Sequence, residues 1–447
     1  MTARVGPLVS RTPLAGSLVE AAAHRGARHR AVSGSRRPGR LLPRIFRCYP
    51  VSLVVLAPFL LLIIPTAVLY QNPELGFILR LVGLALLGSV LVETAALIFG
   101  RPDHQWRRGL ERANAQYPRI YGVARVVAVV SALASLLGAY VGRGTIVAQV
   151  SGDLPDSSLA PITALVSGWN AFACALLIAS HLGGHISIRK LYGWLALLTA
   201  AEVVLAAMTA LSAPLMGFIS FVAAAGVICG VIRVRYLVVT AALLFLVWPA
   251  MFEIRNAIRT DHGVAVSDQV TAGDRARLDL QLAPLADISV PVDLSRPGLA
   301  DYLRYGVLPR VVDPDRPALS TGQAINQYLG GGPTSAYTFL SIGNIYLFEG
   351  PTGVVVFHGV WAAVVGFLLR WRGAPGPFRL SILCLILTNP LLWSSTYPDS
   401  MISLVQHTVS VLPVFYILVT TRRRPPTVDA RRLAGPREYE FPVRAIR

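Results

Sequence analysis

Apolar residues fall along this chain in blocks rather than in stripes. Between 51 and 253, and again between 351 and 420, they gather into runs close to the roughly 20 residues a helix needs to cross a bilayer. The pattern predicts about ten membrane-spanning helices, at 51–70, 76–99, 120–142, 160–182, 192–211, 214–232, 236–253, 351–370, 377–393 and 400–420. The polar gaps between them differ in charge. RRPGRLLPRIFR precedes the first run, RPDHQWRRGLER follows the second, and ISIRK, IRVRY, RWRGAPGPFR and TRRRPP follow the fourth, sixth, eighth and tenth. The other gaps, QNPEL, RGTIVAQVSGDLPDSS, the turn at Pro214 and SSTYPDS, are poor in basic residues. Short cytoplasmic loops collect arginine and lysine, so both termini are expected in the cytoplasm. The long segment 254–350 is then a single large extracytoplasmic loop.

Composition agrees with a membrane solvent. The chain is 54% hydrophobic and only 14% charged, with a mean hydropathy of +0.57, which excludes an ordinary soluble domain of this length. The expected fold class is an all-α integral membrane protein. A net charge of +18 on a soluble protein would suggest nucleic acid, but here the charge sits in loops and tails, where it orients the helices. No nucleic-acid partner is expected. Cys48, Cys174, Cys229 and Cys384 lie in or beside apolar runs, which supports neither a disulfide framework nor a zinc site. The first 50 residues include Ser35-Arg36-Arg37, a faint echo of a twin-arginine signal. The apolar run behind it is too long and lacks a small-residue cleavage site, so 1–50 reads as a basic cytoplasmic tail, and 421–447 as a second.

The expected organisation is therefore a tail (1–50), a bundle of about seven helices (51–253), the outward loop (254–350), about three further helices (351–420) and a tail (421–447). The outward loop carries the candidate chemistry. EIRNAIR places Arg255 and Arg259 four apart, on one face of any helix continuing out of the membrane. Further on, Arg304, Arg310 and Arg316 are interleaved with Pro309, Pro314 and Pro317, which stiffen the backbone that aims them. A guanidinium suits a diphosphate, because its planar fork donates bidentately and keeps its proton. Nine aspartates from Asp261 to Asp315 share the loop, so a solvated segment laced with Arg–Asp pairs stands beside the anion-binding reading. Arg80, Glu93, Arg125, Glu202 and Glu253 are ionisable groups at or inside the apolar boundary. Glu202, near mid-membrane, is the hardest of these to explain by snorkelling.

The run LPRVVDPDRP followed by GNIYLFEGPTG resembles the signature loop of the Wzy-type polysaccharide polymerases, the oligosaccharide-repeat-unit polymerase group. Pro309, Arg310, Arg316 and Pro317 match the first half of that pattern, and Gly343, Tyr346, Gly350 and Gly353 the second. Asn344 stands where the pattern has Glu, and Phe348 and Glu349 replace Asn-Phe. The matched region covers about 50 residues. The resemblance implies a polytopic glycosyltransferase of GT-C-like architecture, a multi-pass protein of a bacterial plasma membrane. Its reaction joins polyprenyl-diphosphate-linked repeat units into a cell-surface polysaccharide, with lipid-linked glycan as both donor and acceptor. Membrane lipids and other polysaccharide-assembly proteins are its further partners.

Under that reading Arg310, Arg316 and Glu349 are catalytic, and Arg255, Arg259, Arg304, Tyr346 and His407 bind substrate. The arginines would hold the leaving diphosphate. The acceptor hydroxyl needs a base, and Glu349, Asp313, Asp315, His262 and His407 all remain candidates. No cofactor is expected, and no metal, because the outward face lacks a His/Asp/Glu cluster at ligand spacing. The rivals are an O-antigen-ligase type of transfer, with a similar donor and a different acceptor, and a lipid-linked glycan flippase, which leaves the arginine loop unexplained.

Overall fold

A computed structural model describes residues 47–99, 106–140, 169–209, 213–233, 277–294, 297–308, 312–313, 321–332, 336–370 and 375–422, with isolated positions at 45, 166 and 273 and between 249 and 261. The chain is all-α: no strand occurs among the described residues. Its helices are α1 (Pro50–Leu69), α2 (Leu75–Phe99), α3 (Trp106–Ala115), α4 (Ile120–Tyr140), α5 (Trp169–Leu182), α6 (Ile188–Thr209) and α7 (Ala213–Ile228), then α8 (Leu299–Val307), α9 (Thr321–Tyr328), α10 (Leu340–Arg370), α11 (Pro377–Thr388), α12 (Asp399–Ser410) and α13 (Leu412–Thr420).

Among the described residues, six helices are long and apolar enough to cross a membrane: α1, α2, α4, α6, α10 and the continuous pair α12–α13. Three of the other expected spans are shorter apolar helices, α5, α7 and α11, and the run 236–253 lies almost wholly outside the described residues. The tail 1–44 and residues 423–447 also lie outside them. α10 departs from the sequence reading. It starts at Leu340 rather than 351, so it takes in the last eleven residues of the expected loop, and Ser341 to Phe348 are buried.

Local sequence explains several irregularities. In α1 the turns from Phe59 to Ile63 widen to π spacing directly after Pro58, which cannot donate to the helical ladder. In α5 the sequence WNAFACALLIASHL is apolar on every side, and Phe172 to Ser180 are buried without interruption. A helix with no polar stripe belongs in the middle of a bundle, and α4, α6, α7 and α11 enclose this one. Two apolar cores result. One joins α1, α2, α10 and part of α11; the other joins α3 to α7 with the other side of α11 and α13.

The ionisable groups in the apolar segments are largely accounted for. Glu93, 2% exposed, accepts from the Val51 amide at 2.7 Å, the Ser52 amide at 3.4 Å and the Ser52 hydroxyl at 2.5 Å. It caps the positive end of α1 with a carboxylate from α2. Glu202 accepts from the Asn170 side-chain amide, tying α6 to α5. Arg80 and Glu253 are exposed.

α2 and α10 approach closely through glycine. A Cβ on Gly88 would lie 2.1 Å from the Val355 carbonyl oxygen, and one on Gly359 would lie 3.5 Å from the Gly88 carbonyl oxygen. Small residues at a crossing let two backbones touch, the contact that replaces hydrophobic burial in lipid. Gly88→Val must therefore push α10 away, and overpacking of this kind costs about 1–3 kcal/mol. A lowered midpoint in a detergent-solubilised thermal melt is the expected result; an unchanged melt would show that the crossing tolerates separation.

Candidate functional site

The described parts of segment 254–350 are anchored to the bundle. The 3₁₀ turns Leu278–Gln281 and Ala283–Asp287 place Leu282 and Leu285 in the core beneath the first turns of α10. Gly343 makes that possible, since a Cβ there would lie 2.8 Å from each of these leucine side chains. Asp279, fully buried, accepts from the Asn72 amide at 2.7 Å and from the Arg277 guanidinium at 3.0 Å, while Arg277 lies over the Tyr70 ring, 4.4 Å from its centroid. Beyond these turns, α8 packs on α12 through Tyr302, Tyr305 and Ile402, and the Gln406 side chain donates to the Tyr305 carbonyl at 3.0 Å. α9 is held at its start, where the Thr321 amide and hydroxyl donate to the Asp399 carboxylate at 3.2 and 2.6 Å.

α10 itself is broken at Gly350. Gly350 has φ +67° and ψ −171°, and Pro351 follows it without an amide hydrogen, so the helix is two helices joined at a non-helical residue. Carbonyls of the preceding turn lose their helical partners, and that of Leu347 accepts instead from the Val292 amide at 2.9 Å. Glu349 sits at the break, half-buried, and accepts from the Tyr397 hydroxyl at 2.9 Å. Tyr397 also hydrogen-bonds Tyr302 of α8. Burial, the Tyr302 bond and the nearby Glu349 charge together hold the Tyr397 hydroxyl well above its ordinary range, so it stays protonated and donating. A Cβ on Gly353 would meet the Glu349 Cβ at 2.0 Å, so that glycine is the space in which Glu349 lies.

The loop between α11 and α12 completes the site. Its Trp393 carbonyl accepts from the Ser341 amide at 2.9 Å, and its Pro390 carbonyl from the Ser341 hydroxyl at 3.1 Å. Asn344, fully buried, accepts from the Phe339 amide at 3.1 Å and donates to the Thr338 hydroxyl at 2.9 Å and the Ser395 carbonyl at 3.4 Å. A glutamate at 344 has no N–H to make the last contact.

No known family model matches this chain, and comparison with curated proteins and with solved structures gives no match. The site therefore rests on its own geometry.

Of the residues singled out from sequence, Glu349 lies at the break with Tyr397 and Tyr302. Tyr346 is buried in the core, edge-on to Phe77 with ring centroids 5.5 Å apart. Arg304 is held bidentately by Asp313, at 2.8 and 2.6 Å, and that carboxylate raises the guanidinium pKa. For this arginine the Arg–Asp pairing is realised. His407 lies on α12 with its Nδ1 buried and without a hydrogen-bond partner among the described residues. Arg255, Arg259, Arg310 and Arg316, with His262 and Asp315, lie outside the described residues. Among those described, no group of three His, Cys, Asp or Glu side chains could hold a metal. Sequence reasoning missed Tyr302 and Tyr397; for Tyr397 the available signal was the polar, aromatic interruption NPLLWSSTYPD between two apolar runs.

Gly350 gives a direct test of the break. An L-residue at its φ and ψ carries roughly 1–3 kcal/mol of strain. Gly350→Ala is expected to lower the melting midpoint accordingly, whereas Gly366→Ala, a helical position of α10 with open space at its Cβ, should not. Equal melts for the two variants would remove the break as a constrained feature.

Proposed function

We propose that this chain is a membrane glycosyltransferase that polymerises polyprenyl-diphosphate-linked oligosaccharide repeat units into a cell-surface polysaccharide, on the outer face of a bacterial plasma membrane. The observation that supports it most is Glu349, a carboxylate held by a tyrosine at a helix break. In this reaction an acceptor hydroxyl attacks the anomeric carbon of the donor glycan. The bond from that carbon to the diphosphate oxygen breaks, the hydroxyl proton passes to Glu349, and the lipid diphosphate leaves with its electron pair. Glu349 takes the part of the base in this reading because the Tyr397 hydroxyl orients one of its oxygens, Oε1. The leaving charge needs fixed cations close to the membrane surface, the part assigned to Arg310 with Arg316, Arg255 and Arg259. Arginine supplies that charge without a metal.

A second reading has one observation in its favour. Broken helices also form the substrate sites of transporters, where half-helix ends and freed carbonyls face the cargo. Among the described residues only α10 is broken by a non-helical residue of this kind, without the second broken helix of an inverted repeat.

One reconstitution separates the readings. Purified protein in liposomes, given lipid-linked repeat units and EDTA, is expected to produce a ladder of longer lipid-linked glycans. Transfer of the glycan to a different acceptor would indicate the ligase chemistry, and movement across the bilayer without lengthening would indicate a flippase. Elongation abolished by EDTA and restored by divalent ions would overturn the metal-free mechanism.

A further inference from the structure

One arginine inside an apolar helix, Arg125, has no ion-pair partner among the described residues. α4 buries Ile120, Ala124, Val127, Ala128 and Ser131, and turns its other side outward. That outward side carries Gly122, Arg125, Val126, Val129, Leu133 and Leu137, with Val126 and Leu133 each 63% exposed. In a membrane-spanning helix such a stripe faces lipid. Arg125 is therefore a lipid-facing cation, about 7.5 Å along the helix from Ile120.

Its side chain runs back toward the start of the helix, as helical side chains do. The guanidinium carbon lies over the Tyr121 ring, 5.7 Å from the centroid, and the Tyr121 hydroxyl accepts from the Trp194 indole of α6 at 3.4 Å. Beside it, Gly122 has nothing within 4 Å of where a Cβ would stand, which leaves an open notch on the same stripe. Arg119, exposed, precedes the helix. Residues 106–125 contain five arginines and one acid, Glu111. No ion pair with Arg125 occurs among the described residues.

We propose that Arg125, the Gly122 notch and Arg119 seat the phosphate of an anionic phospholipid from the leaflet that meets the start of α4. The chemistry fits on three counts. A guanidinium facing hydrocarbon needs an anion at headgroup depth, and a phosphodiester matches its fork. The stacked Tyr121 and hydrogen-bonded Trp194 form an aromatic pair of the sort that lines membrane interfaces. The notch gives the headgroup room where any larger residue would occlude it. This inference stands apart from the proposed catalysis.

Native mass spectrometry of delipidated protein titrated with phosphatidylglycerol, phosphatidylcholine or polyprenyl phosphate tests it. Wild type should retain phosphatidylglycerol in preference to phosphatidylcholine. Arg125→Gln should weaken the phosphatidylglycerol adduct about fivefold, the share of one basic side chain at a charged membrane surface, with phosphatidylcholine unaffected. Gly122→Leu fills the notch and keeps every charge, so it should weaken phosphatidylglycerol as well, and it carries the test if Arg125→Gln does not fold. Undiminished phosphatidylglycerol binding in the folded variants would overturn the assignment. Polyprenyl phosphate displacing phosphatidylglycerol in wild type but not in Arg125→Gln would overturn the choice of lipid. Equal protection by soluble glycerol phosphate would overturn a membrane occupant.

Discussion

Arg310→Lys is expected to turn over lipid-linked glycan almost as slowly as Arg310→Ala, both about 10²–10³ below wild type. Lysine supplies the charge but not the planar pair of donors, and a diphosphate taking on charge as its bond breaks is held best by the pair. The comparison is more informative than either variant alone. A site that uses only long-range attraction would be rescued by lysine, and one that uses a fork would not. Elongation measured in EDTA, with protein normalised by its folded fraction, makes the comparison. A fully active Arg310→Ala would remove this residue from the chemistry.

Glu349→Gln is expected to lose about 10²–10⁴ in rate, the usual worth of a positioned general base. Glutamine keeps an oxygen to accept from Tyr397 and nearly the same volume, so the melting midpoint should stay close to wild type. Tyr397→Phe should fall between the two, because it leaves the carboxylate in place but releases its orientation. Should Glu349→Gln retain activity while Gly350→Ala melts early, the break would be structural and the base would lie elsewhere.

The long apolar helices were legible because hydropathy over 20 residues is a property of the local chain. Placement of α10 was not. SIGNIYLFEG reads as polar beside the runs that flank it, yet Ser341 to Phe348 are buried, because the α11–α12 loop satisfies Ser341 and Asn344. Those partners are about 50 residues away, and no periodicity reports them. Glu349 was a candidate from its place in the resembled motif and from the need for a base in that expected loop. Its partner Tyr397 was not, since a hydrogen bond across 48 residues depends on how two loops meet. The glycines of the motif gained separate physical meanings: Gly343 admits two leucines, Gly350 breaks the helix and Gly353 makes room for Glu349. The division of the arginines was also hidden. Arg304 and Arg310 look alike on paper, and only geometry gives Asp313 to the first.

The carboxylate of Glu93 bears on the order in which the chain is made. It caps amides 41 and 42 residues earlier, so α1 leaves the ribosome with its first amides waiting for a group not yet synthesised. At 5–20 residues per second that interval is roughly 2–8 s. During it the start of α1 is served by water or headgroups alone, which holds that end at the interface until α2 arrives. When Glu93 closes on Val51 and Ser52, the two helices can pair before any residue of segment 254–350 has been made. The framework on which the later break in α10 rests is thus the first part of the protein to be completed.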